Sequence, residues 1–400
     1  MKYIVVLGDG MSDEPVEALG GKTPLEAACI PTMDALASMG QLGMVQNVPA
    51  GMSPGSEVAN LSVLGYDPRR DFTGRSPLEA LSVGVAMEPE DVVFRCNLVT
   101  LTEEEPYTQK TILDHSAGEI STADADVLMS SLREEFNDET FQFYTGTSYR
   151  HLMVWKGGRI SRLEPPHDHL GQVIGPWLPQ EEVLRRFMER SYAILNDHPL
   201  NRQRAAEGKR KANSLWYWGA GTRPSLRSFR EKTGLKGAMV SAVDLLKGIA
   251  VGAGMQVYTV PGATGSIDTN WEGKAQAAID ALTKDGCDFV YIHVEAPDEM
   301  AHQGLPEEKV RSIEYLDSRI LAPVWQALKA AGEDCRILVL PDHPNLLRLR
   351  THTADPVPYL LYDSTREEKK LAHYTEEEAR LSGNFVPDGF LLMEQFLKNH

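Results

Sequence analysis

Three near-continuous apolar segments mark the chain, at residues 3–7, 289–294 and 336–340. They lack the alternation of polar and apolar positions that is typical of a strand with one face in water. Such segments predict strands buried on both faces of a parallel sheet. Each is followed, at once or within a few positions, by ionisable side chains. Because ligands gather beyond the carboxyl ends of parallel strands, the pattern predicts an α/β fold whose chemistry lies at one edge of the sheet.

Helix signals occur between these strands. Thr23 and Pro24 precede a run of helix-forming residues, which is the usual order of a cap residue, a proline in the first turn and a helix. A second helix is predicted over residues 32–38, and Gly40 ends it. The alternation of strand-like and helix-like segments is typical of an α/β domain.

The middle of the chain, from about residue 83 to residue 230, differs from the rest in composition and in its predicted elements. Aromatic residues and prolines are frequent there, and short strands are predicted at residues 92–99 and 149–155. Beyond it the α/β alternation resumes. We therefore predict a discontinuous domain, residues 1–82 and 231–400, whose two pieces share one sheet. A smaller α+β domain, residues 83–230, is inserted into it.

The composition narrows the function. The 400 residues carry a formal net charge of −17 with no compensating basic patch, so neither a nucleic-acid nor an anionic-membrane partner is expected. The four cysteines form no C-x-x-C pair, which predicts buried thiols in a reducing, cytoplasmic setting. No segment approaches the roughly 18 apolar residues of a membrane helix, and the acidic start of the chain is unlike a signal peptide. The oligomeric state stays open.

The ionisable residues near the strand ends are acids and histidines. They are Asp9, Asp298, His302, Asp342, His343 and His352. Asp298 and His302 are four residues apart and share one face of a helix. Asp342 and His343, after a buried strand, are costly unless they are paired or bind a metal. The set suits Mn²⁺, Zn²⁺ or Mg²⁺ and predicts a two-metal phosphoryl-transfer site, although Asp9 alone is equally explained as a turn residue.

Ser56 is the candidate nucleophile. It follows the turn at Pro54 and Gly55 and precedes helix-forming residues, which places it near a helix N-terminus, where free N–H groups favour an anion. A serine hydroxyl is a weak nucleophile at neutral pH, and a metal ion supplies the activation it needs. The alternative is an ordinary N-cap serine, a role for which Ser53 is an equal candidate.

Residues 54–68, with the sequence PGSEVANLSVLGYDP, closely resemble the serine loop of the archaeal-type cofactor-independent phosphoglycerate mutases of the alkaline phosphatase superfamily. Further segments resemble the same family along nearly the whole chain, at residues 114–118, 149–151, 218–224, 294–302, 342–343 and 352–358. The motifs are long and ordered. The resemblance implies an alkaline-phosphatase-like sandwich with a central, mostly parallel sheet and an inserted domain that binds the substrate.

The resemblance also implies the activity and the metal ligands. Members of this family interconvert 3-phosphoglycerate and 2-phosphoglycerate, and the serine takes the phosphoryl group and returns it to a different hydroxyl of the same molecule. By correspondence the ligands fall into two sets, which are Asp298, His302 and His352 for one ion and Asp9, Asp342 and His343, beside Ser56, for the other. Manganese is the preferred metal, with Zn²⁺, Co²⁺ or Mg²⁺ as alternatives.

The remaining site residues follow from the same resemblance. Lys236 is the candidate for a lysine that helps to activate the serine. Asp114 and His115 are expected to handle protons at the substrate hydroxyls. The inserted domain is expected to supply arginines for the substrate's phosphate and carboxylate, because a planar fork suits such anions. The candidates are Arg95, Arg150 and Arg223, each of which is also explained as a salt-bridge partner.

Two other functions are compatible with the same residues. A homoserine kinase, or another phosphotransferase or phosphatase, could use this scaffold, although residues 262–266 lack the lysine of a G-x-x-x-x-G-K-[ST] nucleotide loop. A metal-stabilised binding protein without turnover is the third alternative. The presence of both a nucleophile candidate and two ligand sets argues against it.

Overall fold

The structure, a computed structural model, describes residues 1–161, 163–366 and 370–398. Its internal contacts divide the chain into two units, of which the first is Met1–Phe72 with Ser225–His400 and the second is Thr73–Pro224. The inserted segment therefore starts at residue 73 rather than 83 and ends at residue 224 rather than 230.

The regular elements are given in chain order. The strands are β1 Lys2–Gly8, β2 Gln41–Val45, β3 Val92–Leu101, β4 Ile112–Asp114, β5 Phe141–Tyr144, β6 Arg150–Trp155, β7 Ser214–Thr222, β8 Gly237–Val240, β9 Gln256–Tyr258, β10 Phe289–Val294, β11 Cys335–Leu340, β12 Asn345–Leu346, β13 Thr351–His352, β14 Val357–Asp363 and β15 Phe385–Val386. The α-helices are α1 Pro24–Ala27, α2 Pro31–Met39, α3 Ser56–Val63, α4 Pro68–Asp71, α5 Arg75–Ser82, α6 Thr122–Phe136, α7 Glu182–Leu195, α8 Pro199–Ala206, α9 Phe229–Thr233, α10 Asp244–Gly252, α11 Trp271–Thr283, α12 Ala296–Gln303, α13 Pro306–Tyr315, α14 Ala322–Ala330, α15 Glu376–Leu381 and α16 Leu392–Leu397. Short 3₁₀ turns occur at Glu17–Leu19, Tyr107–Gln109, Pro166–His169, Gly175–Trp177 and Gly389–Leu391, and a π-helical segment, Leu316–Leu321, joins α13 to α14. Within the described ranges, no helix combines the length and apolar character that a bilayer span requires.

The first unit is built on one large sheet. Over the described residues it has eight strands in the order β15-β2-β14-β11-β1-β10-β8-β9. From β11 to β9 neighbouring strands run parallel, whereas β14 is antiparallel to both β11 and β2. The prediction of an α/β fold with a central, mostly parallel sheet is confirmed.

Both faces of this sheet are covered, which explains the near-continuous apolar segments in the sequence. β1, β10 and β11 agree with the predicted strands to within one residue at each end. On one face, Ile4 and Ile292 join a core with residues of α2, α11 and α13. On the other face, Tyr3 makes an edge contact with Phe396 of α16.

The second unit contains an antiparallel sheet in which β3 is flanked by β6 and β7, while β4 pairs with β3 and β5 with β6. Alternate β3 residues such as Phe94 and Cys96 point into a core with α6 and α7. Val93, of opposite orientation, packs with Leu152 of β6 and Ala80 of α5. Helix α5 thus belongs to the second unit because it covers the other face of this sheet, and the predicted boundary at residue 83 is wrong for that reason.

Candidate metal centre and active site

The acids and histidines meet at one edge of the large sheet. β1 pairs in parallel with β10 and with β11, and the register places Gly8 opposite Val294 and Leu7 opposite Leu340. The three strands therefore end at the same level, and the residues that follow them become neighbours although they are far apart in sequence. Asp9 follows β1, Asp342 and His343 follow β11, and Asp298 lies in the first turn of α12, just after β10.

Asp9, Asp342 and His343 form one potential ligand group, with one ligand atom of each lying within 4.8 Å of the others. All three are buried. Burial and the neighbouring Asp342 and Asp298 carboxylates raise the pKa of Asp9 well above its ordinary value. In the part of the chain that the structure describes, Oδ1 of Asp9 is buried without a hydrogen-bond partner. A divalent cation would satisfy this oxygen and relieve the repulsion between the carboxylates.

Asp298, His302 and His352 form the second group. Oδ2 of Asp298 lies 3.1 Å from Nε2 of His302, and its Oδ1 lies 3.1 Å from Nε2 of His352. The two Nε2 atoms are 3.0 Å apart. His343 also lies close to this group, since ligand atoms of Asp298, His343 and His352 are within 4.8 Å of one another. The rings of His343 and His352 stack with centroids 3.8 Å apart.

Backbone carbonyls fix the histidine tautomers in the second group. Nδ1 of His302 lies 2.9 Å from the carbonyl oxygen of Arg350, and Nδ1 of His352 lies 2.9 Å from that of Pro54. A carbonyl only accepts, so each Nδ1 carries a hydrogen and each Nε2, which faces Asp298, is the nitrogen that takes up a proton or a metal ion. Two lone pairs 3.0 Å apart repel unless a cation or a proton lies between them. Asp298 accordingly raises the pKa of His302 to about 9 in the metal-free protein, and these residues fit a metal ion.

Other buried side chains hold the ligands in place. Nε2 of His293 lies 2.9 Å from Oδ2 of Asp9, and Nδ1 of the same ring lies 3.2 Å from Oγ of Ser241. Nδ2 of Asn345 donates to Oδ1 of Asp298 at 2.7 Å. Such contacts orient metal ligands and tune their basicity. None of the three supporting residues was singled out from the sequence, although His293 and Asn345 flank predicted ligands along the chain.

Ser56 is the first residue of α3, with Gly55 in the capping position. Its Oγ lies 3.2 Å from Nε2 of His343, the ring that is close to both ligand groups. The free amides and the dipole of the first helical turn favour an anion at this position. The hydroxyl is therefore at a point where a phosphoryl group could be held between the helix and two cations.

Lys236 does not lie at this edge of the sheet. It directly precedes β8, its amide donates to Oδ2 of Asp288, and its Nζ donates to the carbonyl oxygen of Asp285. Asp288 precedes β10, which runs parallel to β8, so Lys236 lies at the amino ends of the strands. The assignment of Lys236 as the activating lysine is wrong, because Lys236 precedes its strand whereas the ligand groups lie beyond the carboxyl ends of the strands.

Lys274 of α11 lies near the site. It is fully buried, and burial lowers its pKa to about 8, against the opposing effect of the Glu295 carboxylate. Glu295 directly follows β10, and the charge of Lys274 also acts on His293, which contacts Asp9. A sequence signal existed, because Lys274 shares the apolar face of α11 with Trp271.

In the second unit, Arg95 and Arg150 lie close together. β3 and β6 pair Asn97 with Arg150 and Arg95 with Leu152, and opposite residues in an antiparallel pair share a face. Arg95 is buried, donates to Glu79 at 2.9 Å and lies over the Trp218 ring. Burial lowers the pKa of Arg95 to about 10, and the nearby positive charge of Arg150 acts in the same direction.

Arg75 of α5, which the sequence analysis missed, completes a basic cluster with these two arginines. It donates to the same oxygen of Glu79 that Arg95 contacts, at 3.0 Å, and its charge acts on Arg95. Arg75 and Arg95 thus share the carboxylate of Glu79, and the charge of Arg150 acts on Arg95. Guanidinium groups gathered in this way suit an anion.

Arg223 lies apart from this cluster. It follows β7, whose last residue, Thr222, pairs with Val92, whereas Arg150 pairs with Asn97. Five residues of β3 separate the two levels, or about 16 Å along the strand. Nη1 of Arg223 donates to the carbonyl oxygen of Met87. Arg223 is therefore not part of the cluster of Arg75, Arg95 and Arg150, and its role in substrate binding stays a prediction.

Asp114 and His115 have different surroundings although they are adjacent. Asp114 accepts hydrogen bonds from Ser116 and Gly118, which outweigh partial burial and lower its pKa. Asp114, the last residue of β4, is thus ionised and a poor proton donor. The ring of His115 instead makes an edge contact with His167 at 5.9 Å. His167, which also contacts Trp218, is a further residue that was not singled out from the sequence.

Comparison with known proteins agrees with this geometry. Residues 37–201 match the family model for 2,3-bisphosphoglycerate-independent phosphoglycerate mutase. A relative from Geobacter sulfurreducens, named "Probable 2,3-bisphosphoglycerate-independent phosphoglycerate mutase", is 52% identical over 99% of this chain and 100% of its own length. A relative from Methanosarcina acetivorans with the name of the same mutase is 46% identical over 96% of each chain. The chain belongs to the 2,3-bisphosphoglycerate-independent phosphoglycerate mutase family.

Solved structures support this family assignment. A protein from Pyrococcus horikoshii superimposes with a TM-score of 0.82 at 29% identity and covers 99% of this chain and 96% of its own. A structure described as the cofactor-independent phosphoglycerate mutase of Thermoplasma acidophilum has a TM-score of 0.68 at 27% identity and covers 99% of both chains. The mutase family assignment therefore extends to the inserted unit as well as to the sheet that carries the acids and histidines.

Proposed function

We propose that this chain interconverts 3-phosphoglycerate and 2-phosphoglycerate through a phosphorylated Ser56. The observation that carries the proposal is the position of Ser56 Oγ, 3.2 Å from Nε2 of His343 and at the start of a helix. The names of the relatives support the substrate class.

Two divalent ions would be held by the acids and histidines at the sheet edge. Asp298, His302 and His352 would ligate one ion and Asp9, Asp342 and His343 the other, with His343 close to both. When bound, the ions supply Lewis-acid stabilisation of phosphate oxygens and lower the pKa of the serine hydroxyl. Oxygen and imidazole donors suit Mn²⁺, which we propose as the metal, and also Zn²⁺, Co²⁺ or Mg²⁺.

The chain's own residues then perform two opposite transfers. Oγ of Ser56 forms a bond to phosphorus as the ester bond of the substrate breaks, and the substrate oxygen takes a proton to become a hydroxyl. The second hydroxyl of the glycerate then attacks the phosphoserine and releases Ser56. Lys274, with its lowered pKa, is the candidate for removing and returning the serine proton.

The second unit would bind the anionic groups of the substrate. Arg95 and Arg150 lie close together, with Arg75 bonded to the same Glu79 oxygen as Arg95, and guanidinium forks suit phosphate and carboxylate. His115, beside His167, is the candidate for proton transfer at the substrate hydroxyls, in place of the firmly bonded Asp114.

Replacement of Ser56 by alanine tests the proposal. Ser56→Ala removes one hydroxyl and leaves every charged ligand, so fold and metal content should be retained while mutase turnover falls below about one thousandth of wild type. Ser53→Ala is the matched control and should keep turnover within about twofold, since Ser53 lies outside α3 and is exposed. Mass spectrometry of the wild type after brief exposure to substrate should show one phosphate on Ser56.

Two outcomes would contradict the proposal. Ser56→Ala enzyme with substantial mutase activity would remove the nucleophile assignment. Wild-type enzyme that phosphorylates homoserine from ATP, and leaves phosphoglycerate unchanged, would replace the substrate class.

A further inference from the structure

The buried side chain of Asn60 links three parts of the first unit. It lies one helical turn after Ser56 in α3 and is completely buried. Its Nδ2 donates to the carbonyl oxygen of Ser56 at 2.9 Å and to Oδ2 of Asp342 at 2.9 Å. Its Oδ1 accepts from the hydroxyl of Tyr291 in β10 at 2.6 Å.

The chemistry of the partners fixes the orientation of this amide. A carbonyl and a carboxylate only accept, so the NH₂ group must face Ser56 and Asp342, and the oxygen must face Tyr291. The reversed amide would place Oδ1 against two acceptors. Both N–H donors of Asn60 and its acceptor are therefore used in one arrangement, and neither aspartate nor leucine, though similar in size, can reproduce it.

Tyr291 anchors this amide to the centre of the sheet. It is fully buried in β10, between β1 and β8, where it pairs with Val5 and Met239. A residue held by strands on both sides moves less than a helix end or a loop. The hydroxyl of Tyr291 thus fixes the position of the Asn60 amide. Through its own hydrogen bonds, Asn60 in turn fixes the main chain of Ser56 and the carboxylate of Asp342.

The consequence concerns the distance between nucleophile and ligands. Asp342 precedes His343, whose Nε2 lies 3.2 Å from Ser56 Oγ. A misplacement of about 1 Å between positioned reacting groups is enough to cost an enzyme about a hundredfold in rate. We propose that Asn60 and Tyr291 are positioning residues that set the separation of Ser56 from the Asp342–His343 ligand pair. The inference rests on the proposed function, because it assumes that Ser56 is the nucleophile.

Two substitutions and one matched control test this inference. Tyr291→Phe removes one hydroxyl and should lower kcat about tenfold, and Asn60→Ala, which removes all three contacts, should lower kcat about a hundredfold. KM for 3-phosphoglycerate should stay within about twofold in both, because the proposed anion-binding arginines are untouched. Tyr359→Phe is the control, since Tyr359 is buried in β14 and contributes to none of the contacts described above; its kcat should be unchanged.

A second measurement separates positioning from folding and from metal loss. At saturating Mn²⁺, phosphorylation of Ser56 in a rapid-mixing experiment should be slowed as much as kcat, with bound metal unchanged. The inference is overturned if Tyr291→Phe and Asn60→Ala lower the melting temperature but leave kcat within twofold, or if excess Mn²⁺ restores turnover. Failure of the mutase proposal itself would be seen separately, as activity retained by Ser56→Ala.

Discussion

At the scale of single residues, the proposed metal site depends on hydrogen bonds between its ligands and residues that would not themselves bind the ion. The carbonyls of Arg350 and Pro54 determine which nitrogen of His302 and His352 is free to bind. Asp298 lies between the two rings and is itself held by Asn345. The ligands are thus oriented before a metal arrives, which lowers the cost of binding it.

Lysine chemistry provides the first test at this scale. Lys274→Met preserves length but removes the charge and the proton-carrying group, so mutase kcat should fall about a hundredfold or more. Lys236→Met should keep kcat within about twofold, because Lys236 lies at the amino ends of the strands. Steady-state assays on the two variants at saturating Mn²⁺ make the comparison. Equal losses in both variants, or none in Lys274→Met, would contradict the role given to Lys274.

A buried histidine outside the site predicts a pH effect on stability. His151 is buried in β6, where Nδ1 accepts from the amide of Gly146. Burial lowers its pKa to about 3, whereas in the unfolded chain the value is about 6.5. Protonation therefore favours the unfolded state. The stability that His151 contributes is present above pH 6.5 and is lost as the pH falls from there towards 3, at up to about 1.4 kcal/mol per pH unit.

Urea unfolding of the second unit, measured at pH 7 and pH 5, tests this effect. Wild type should lose about 2 kcal/mol more between these pH values than His151→Gln, which cannot titrate. If the two proteins lose the same stability on acidification, His151 is not the group responsible.

At the scale of elements, the ends of strands and the start of one helix place the chemistry. β1, β10 and β11 end at one level and deliver Asp9, Asp298 and Asp342 to the same edge. α3 begins at Ser56, so the helix terminus and the nucleophile coincide. In the second unit, α5 contributes both Arg75 and apolar cover for the sheet. The stability of this unit and the position of Arg75 in the basic cluster therefore depend on the same helix.

Helix α5 gives the prediction at this scale. A fragment of residues 73–224 should unfold cooperatively, whereas a fragment of residues 83–224 leaves Val93, Leu152 and Val154 exposed on one face of the sheet. Burial of an apolar side chain contributes about 1.5–3 kcal/mol, so the shorter fragment should be less stable by about 3–5 kcal/mol. Tryptophan fluorescence in urea measures both. Matching unfolding midpoints would show that α5 is not part of the folded unit.

At the scale of the whole molecule, the proposed site adds to the electrostatic cost of a chain with a net charge of −17. The Asp9, Asp342 and Asp298 carboxylates are buried close together, and burial together with their mutual repulsion raises the pKa of Asp9. A cation that binds only the folded state relieves this repulsion and stabilises the fold by mass action. Metal binding, folding of the first unit and catalysis should therefore be linked.

Removal of metal tests this linkage. Chelated protein should lose mutase activity and melt at a lower temperature, and Mn²⁺ at about a hundred times its dissociation constant should restore about 2.7 kcal/mol of stability for each ion bound. Asp298→Asn should reduce this gain. Asp280→Asn, which alters an exposed pair with Lys284, should leave it unchanged. Calorimetry with and without Mn²⁺ measures the shift, and a melting temperature that does not respond to Mn²⁺ would contradict the metal assignment.

The sequence by itself determined the features that depend on local pattern. Apolar segments without alternation predicted β1, β10 and β11, because a strand covered on both faces tolerates few polar side chains. The order of a turn and helix-forming residues predicted that a helix begins near Ser56. The parallel arrangement of the strands then predicted that the acids after them would lie at one edge, where Asp9 and Asp342 form one group and Asp298 belongs to a second group that shares His343.

Only the tertiary structure decided which residues lie on which edge and face. Lys236 directly precedes β8 and Lys274 lies within α11, but only the fold shows that Lys236 is at the amino ends of the strands and that Lys274 is buried near Glu295. Arg223 and Arg150 lie at different levels along β3, because β7 and β6 pair with β3 in the register that brings Thr222 opposite Val92 and Arg150 opposite Asn97. Strand register and long-range packing set these positions, and both depend on contacts between segments that are distant in the chain. The link from Tyr291 through Asn60 to Ser56 belongs to the same class, because it joins a helix to the centre of a sheet.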